Sequence, residues 1–232
     1  MRYLVIGLLA TMLVACAVGA KVPSYRYRMT VEIETPSGLR TGSGVIEVQP
    51  RIKGEGAADM AVDGQAVPID LPGGRTIFAL LRSQTTGDWA GWIVHWLIRT
   101  PSINQKPMAE QVRAAASARG VMTLPKRMPY GAGAGLADQD PRPTFVVFGD
   151  QLNPATVRII DPDKLAAEFG KGTRLNRITF QITDDPVTTD LYSRLSWLKT
   201  QRGSLVHTDI KSPPSLRELE SITDVSFERR GY

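Results

Sequence analysis

Catalysis or tight ligation needs a nucleophile, a base or a ligand set at workable spacing, and this chain offers few of them. It has two histidines, His95 and His207, far apart and outside any metal-ligand spacing such as His-Glu-x-x-His. His207 precedes Thr208 and Asp209. A carboxylate there can orient the imidazole as a general base, although a strand end with ordinary polar neighbours contains the same residues. His95 sits among Trp92, Ile93, Val94 and Trp96, the setting of a core histidine. Asp184, Asp185 and Asp190 can bind calcium or divide acid and base roles, yet they lack the ligand ladder of a calcium loop, and Pro186 favours a turn. Gly42-Ser43-Gly44 lacks the spacing of a nucleophile elbow; glycines inside a strand permit close backbone approach or a bulge. Gly170-Lys171-Gly172-Thr173 shares residues with a phosphate loop but closes a helix instead of opening one. The glycine run at 130–135 has no strand before it and the wrong spacing for a dinucleotide fingerprint. The expectation is no metal, no cofactor and no catalytic residue, with a hydrolase using His207 and Asp209 or scattered carboxylates as the alternative.

Trp89, Trp92, His95 and Trp96, with Ile93 and Leu97, form the densest aromatic group. As a helix, positions 89, 92, 93 and 96 make one apolar stripe. As a strand, Trp92, Val94, Trp96 and Ile98 share a face, and periodicity does not choose between them. Trp89, Trp92 and Trp96 are therefore either core or an aromatic surface for a saccharide or a lipid headgroup, since tryptophan joins apolar area to a polar edge.

Cys16 is the single cysteine, so no intrachain disulfide supports the fold. Arg2 is the only charge before Lys21, and the apolar run between them has the layout of a secretory signal. Within it, Leu13-Val14-Ala15-Cys16 resembles the lipobox of bacterial lipoproteins. That resemblance implies a diacylglyceryl group on the thiol and cleavage before it. Residues 1–15 then leave as signal peptide, 16–23 form a short lipidated tether, and 24–232 form the mature domain. Each buried acyl methylene contributes about 0.8 kcal/mol, so two or three chains anchor stably. Ala17 after the cysteine, in place of aspartate, is the pattern that implies the outer membrane. Membrane lipid is then the first partner, with an envelope protein, a glycan or a lipid headgroup as the second. Two alternatives remain open: cleavage after Ala20, or an uncut helix over 3–20 that reaches about 27 Å against a hydrocarbon core of about 30 Å.

The remaining chain must supply the scaffold. Residues 25–34 alternate apolar and polar without a break, the period of a half-buried strand, and pair across a turn at 35–38 with a strand over 41–49. Further strands are expected at 66–70, 75–82, 144–149, 156–160, 175–183 and 221–229. Helices are expected over 161–170, capped by Asp161 with Pro162 behind it, and over 108–119. The stretch 125–143 reads as an irregular loop. The expected fold is mainly β (β-rich α+β), an antiparallel sandwich or open barrel with one or two short helices.

The chain has 28 Lys and Arg against 23 Asp and Glu, a net charge of +5. The basic residues are interleaved with acids, as in Arg217-Glu218-Leu219-Glu220, and form no phosphate-tracking stripe, so nucleic acid is not expected as a partner. The segments Gly38-Leu-Arg-Thr-Gly-Ser-Gly-Val-Ile-Glu-Val48, 68–81, 160–170 and 177–188, with Trp197-Leu198, resemble a group of uncharacterised proteobacterial proteins. That resemblance implies family membership and no activity. The chain as a whole reads as a membrane-anchored envelope lipoprotein with a non-catalytic binding or structural role.

Overall fold

The computed structural model describes residues 22–53, 56–128, 140–207 and 214–231. The leader with Cys16, the glycine run 130–135 and Asp209 lie outside them. The strands are β1 (Tyr25–Thr35), β2 (Gly38–Ile52), β3 (Ala58–Gln65), β4 (Val67–Asp70), β5 (Thr76–Ala79), β6 (Met122–Thr123), β7 (Phe145–Phe148), β8 (Val157–Ile160), β9 (Arg174–Ile182) and β10 (Glu228–Arg229). The α-helices are α1 (Trp89–Leu97), α2 (Pro101–Asn104), α3 (Met108–Ala116), α4 (Leu165–Phe169), α5 (Pro214–Glu220) and α6 (Asp224–Phe227).

The fold is a β-rich α+β arrangement of two open antiparallel sheets. The larger has the order β10-β3-β2-β1-β9-β6 and the smaller β4-β5-β7-β8. The perfect alternation of β1 has the expected result. Tyr25, Tyr27, Met29, Val31 and Ile33 are all buried, while Arg26, Arg28, Thr30 and Glu34 take the opposite face. Burying each such apolar side chain contributes roughly 1.5–3 kcal/mol. β1 turns tightly into β2 at Gly38, whose φ of 106° lies where a side chain would be strained.

The smaller sheet is buried on both faces. Ile77, Ala79, Phe145, Val147 and Ile160 face the larger sheet, and Phe78, Leu80, Val146 and Val157 face a second apolar cluster. That second cluster is built from Leu191, Leu195, Trp197, Leu198, Leu205, Ile222 and Phe227. The uninterrupted apolar runs at 77–81 and 145–148 are the sequence signature of strands with no solvent side.

Close contact between layers is made possible by glycine. A Cβ on Gly42 would stand 2.2 Å from the Pro68 carbonyl oxygen of β4, and one on Gly44 would stand 3.0 Å from Val67 Cγ2. In α1, a Cβ on Gly91 would stand 2.2 Å from the Met60 carbonyl oxygen of β3. Gly42-Ser43-Gly44 is therefore a packing device between sheets, as its place in a strand implied.

Several expectations need correction. Six helices occur among the described residues instead of one or two, because short turns of helix join the strands. The strand expected at 221–229 is interrupted by α6. The Thr223 hydroxyl accepts from the Ser226 N–H while the Ser226 hydroxyl accepts from the Thr223 N–H, so only Glu228–Arg229 remains extended. Asp161 does not cap α4; its carboxylate accepts from the Asp163 N–H at 2.9 Å in a turn that precedes the helix. β3 was not expected at all, since aspartate and glycine are poor strand formers and Ala61 blurs the alternation.

Replacing Gly42 by alanine forces β2 and β4 apart and is expected to destabilise the protein by about 1–3 kcal/mol in urea denaturation. Gly87→Ala, where no atom lies within 4 Å and φ is not positive, serves as the control and is expected to stay within about 0.5 kcal/mol.

Candidate functional site

The tryptophan group resolves as helix α1 and divides between core and surface. Trp89 is 1% exposed, its ring meets Phe180 edge-on at 6.0 Å, and its indole N–H donates to the Pro141 carbonyl at 2.8 Å. Trp96 is also buried, and Trp92 is half-buried and stacked on it at 6.3 Å. The three residues do not form one exposed platform. A helix apolar nearly all round is driven wholly into the interior, and here only Trp92 and Leu97 retain a partly open edge.

His95, on the same helix, is 1% exposed, with the Trp92 ring edge-on at 5.3 Å and no hydrogen-bond partner for Nδ1. Burial, reinforced by the nearby Arg99 guanidinium, lowers its pKa to about 4. It is a neutral core histidine. His207 is exposed at the end of a described segment, and its proposed partner Asp209 lies outside the described residues. Among the described residues no three His, Cys, Asp or Glu side chains gather as a metal site.

Asp185 proves to be turn chemistry. Its carboxylate accepts from the Thr183 hydroxyl at 2.7 Å and from Arg28 at 2.6 Å, and these contacts hold its pKa down. The Arg26 guanidinium donates to the backbone carbonyls of Asp184 and Asp185. Gly170 and Gly172 have φ of 101° and 90° and close α4, as the sequence implied.

The concavity the sequence did not reveal is a cleft of about 930 Å³ at the β3 side of the larger sheet. Its residues come from β3, α6, β10 and the stretch 192–202, so no local pattern could have flagged it. The strongest wall is a network on Glu228. Its carboxylate accepts from the Tyr192 hydroxyl and from the Gln65 side-chain amide at 3.3 Å, with Arg230 Nε at 3.5 Å. Arg230 also donates to the Tyr192 oxygen at 2.6 Å. Desolvation, followed by Glu228, pushes the Tyr192 phenol up, so it stays neutral and donates. Gln65 completes the link by accepting from the Leu191 N–H at 2.9 Å. On the far side Arg229 is held by Asp88 at 2.9 Å and by the Gly87 carbonyl at 2.7 Å. The cleft offers fixed hydrogen-bond donors and charges without a histidine or cysteine among its lining residues, an arrangement suited to holding a polar ligand.

Compared with known proteins, the chain matches no family profile, no curated protein and no solved structure at a significant level.

Two outcomes follow for α1. Trp89→Ala is expected to cost about 3–5 kcal/mol, and Trp92→Ala roughly 1–2 kcal/mol, by denaturant titration. For His95 the folded pKa lies below the unfolded value. Its stabilising contribution is therefore complete above about pH 6.5 and is lost as pH falls toward about 4, on the order of 3 kcal/mol across that window. His95→Gln is expected to flatten that part of the stability profile.

Proposed function

We propose that the chain is an envelope lipoprotein, held at a membrane by lipid on Cys16, whose β-rich domain has a non-catalytic binding or structural role. The observation that carries this reading is the sequence Leu13-Val14-Ala15-Cys16 at the end of an apolar leader with one positive charge in front of it. Two features support it. The chain has a single cysteine, so no intrachain disulfide calls on it. And β1 opens at Tyr25, nine residues after Cys16, so an extended tether spans at most about 30 Å and keeps the domain beside the bilayer.

A binding role fits the cleft better than a hydrolytic one. Its carboxylates are already engaged by donors, and a general base must instead be free to take a proton. Outer-membrane placement follows the same motif through Ala17.

Intact-mass measurement on protein isolated from cell envelopes tests the anchor. The expected species begins at Cys16 and carries acyl groups. Cys16→Ser is expected to abolish incorporation of radiolabelled palmitate and shift the protein out of the Triton-extracted lipoprotein pool. A mature chain that starts beyond position 16 without an acyl adduct would overturn the reading.

A further inference from the structure

We infer that the cleft beside β3 binds a phosphate ester carrying a short apolar group, through Lys199 and Arg202. This deepens the binding role proposed above and rests on the cleft's own charge arrangement.

Each carboxylate lining the cleft already has a donor. Asp59 is held by Lys53 at 3.1 Å, Asp88 by Arg229 at 2.9 Å, Asp224 by the Gly203 N–H at 2.9 Å, and Glu228 by Tyr192 and Gln65. Two of the cations have no such partner. Among the described residues neither Lys199 nor Arg202 forms an ion pair with a carboxylate. Among the described residues Arg202 donates to the backbone carbonyls of Leu198, Lys199 and Gln201, and of the lining carboxylates Asp224, held by a backbone N–H, is the one left to offset the two cations, so the wall keeps a positive excess. Lys199 Nζ stands 6.0 Å from the centre of the Tyr192 ring, and the Arg230 guanidinium stands 6.0 Å from the same ring. Positive groups gathered at one wall, with the nearby acids already engaged, raise the local concentration of anions.

The chemical class follows from the rest of the lining. Lys199 brings ammonium donors that a single neutral ring does not use, and with the Arg202 guanidinium they suit a phosphate, an anion with more acceptor oxygens than a carboxylate. Alongside them, Val225 is 51% exposed and lines the same cleft with Leu198 and Ala61. A ligand with a phosphate end and an apolar end covers both. Such a group can come from a soluble ester or from a phospholipid headgroup.

Hexyl phosphate titrated into the full-length protein as isolated, and read at the methyl resonances of Val225 and Leu198 by NMR, tests the inference. Saturable shifts are expected, with affinity at least about tenfold above that of hexanol or of inorganic phosphate, the scale of one charge-assisted contact. The double variant Lys199→Gln/Arg202→Gln is expected to lose about tenfold. Both side chains are exposed, so its unperturbed spectrum confirms that the fold is kept. No saturable shift, equal response to hexanol, or wild-type affinity in the double variant would each overturn the inference. A parallel arm adds phosphatidylglycerol or phosphatidylcholine nanodiscs in place of the soluble probe. Shifts with the first alone assign the headgroup as source, and shifts with hexyl phosphate alone assign a soluble ester. Failure of this titration leaves acylation of Cys16 untouched, and an unacylated chain can still be titrated, so the two readings fail separately.

Discussion

The smaller sheet has no solvent side, and the rest of the structure is arranged around that constraint. β5 and β7 are apolar at successive positions, so both of their faces must be covered. The larger sheet and α1 cover one face, and residues between Leu191 and Leu205 with Ile222 and Phe227 cover the other. For the larger sheet to come near enough, β2 must cross β4 without side chains in the way, which is the work of Gly42 and Gly44. The backbone entropy lost at these glycines is offset by dense packing across the contact.

The outer layer, lacking a sheet of its own, is fastened by charge. Arg194 forms a two-pronged bond with Asp70 at 2.7 and 2.8 Å, tying the stretch that follows β9 to the β4 end of the smaller sheet and holding the Asp70 pKa down. Arg142 does the same for the irregular segment after position 140, gripping both Asp140 and Asp163. Glu228 joins β10, β3 and Tyr192 in one network. The large cleft is the gap left where this fastened layer meets the side of the larger sheet at β3. Its polar walls are thus part of what holds the layers together.

In the proposed reading, anchoring and binding are divided along the chain. The lipobox-like motif lies in the leader, and the cleft lies in the domain. A short tether would make them act together, since a domain held within a few nanometres of a bilayer meets envelope components at high effective concentration.

The sequence by itself determined the hairpin of β1 and β2, the strands of the smaller sheet, β9 and the β-rich class, because uninterrupted alternation or uninterrupted apolar runs admit one buried arrangement. It also carried the motif at Cys16, which is local in sequence and needs no fold to be read. Only the tertiary structure decided that Trp89 and Trp96 are core, because helix and strand give that segment equally apolar faces until Gly91 meets the Met60 carbonyl. It alone produced β3, α6 and the cleft. Those depend on neighbours distant in sequence: β3 owes its pairing to β2 and β10, and the cleft draws on segments that are strangers until the layers close. Local propensity is weak beside such packing, and for that reason the cleft was invisible one residue at a time.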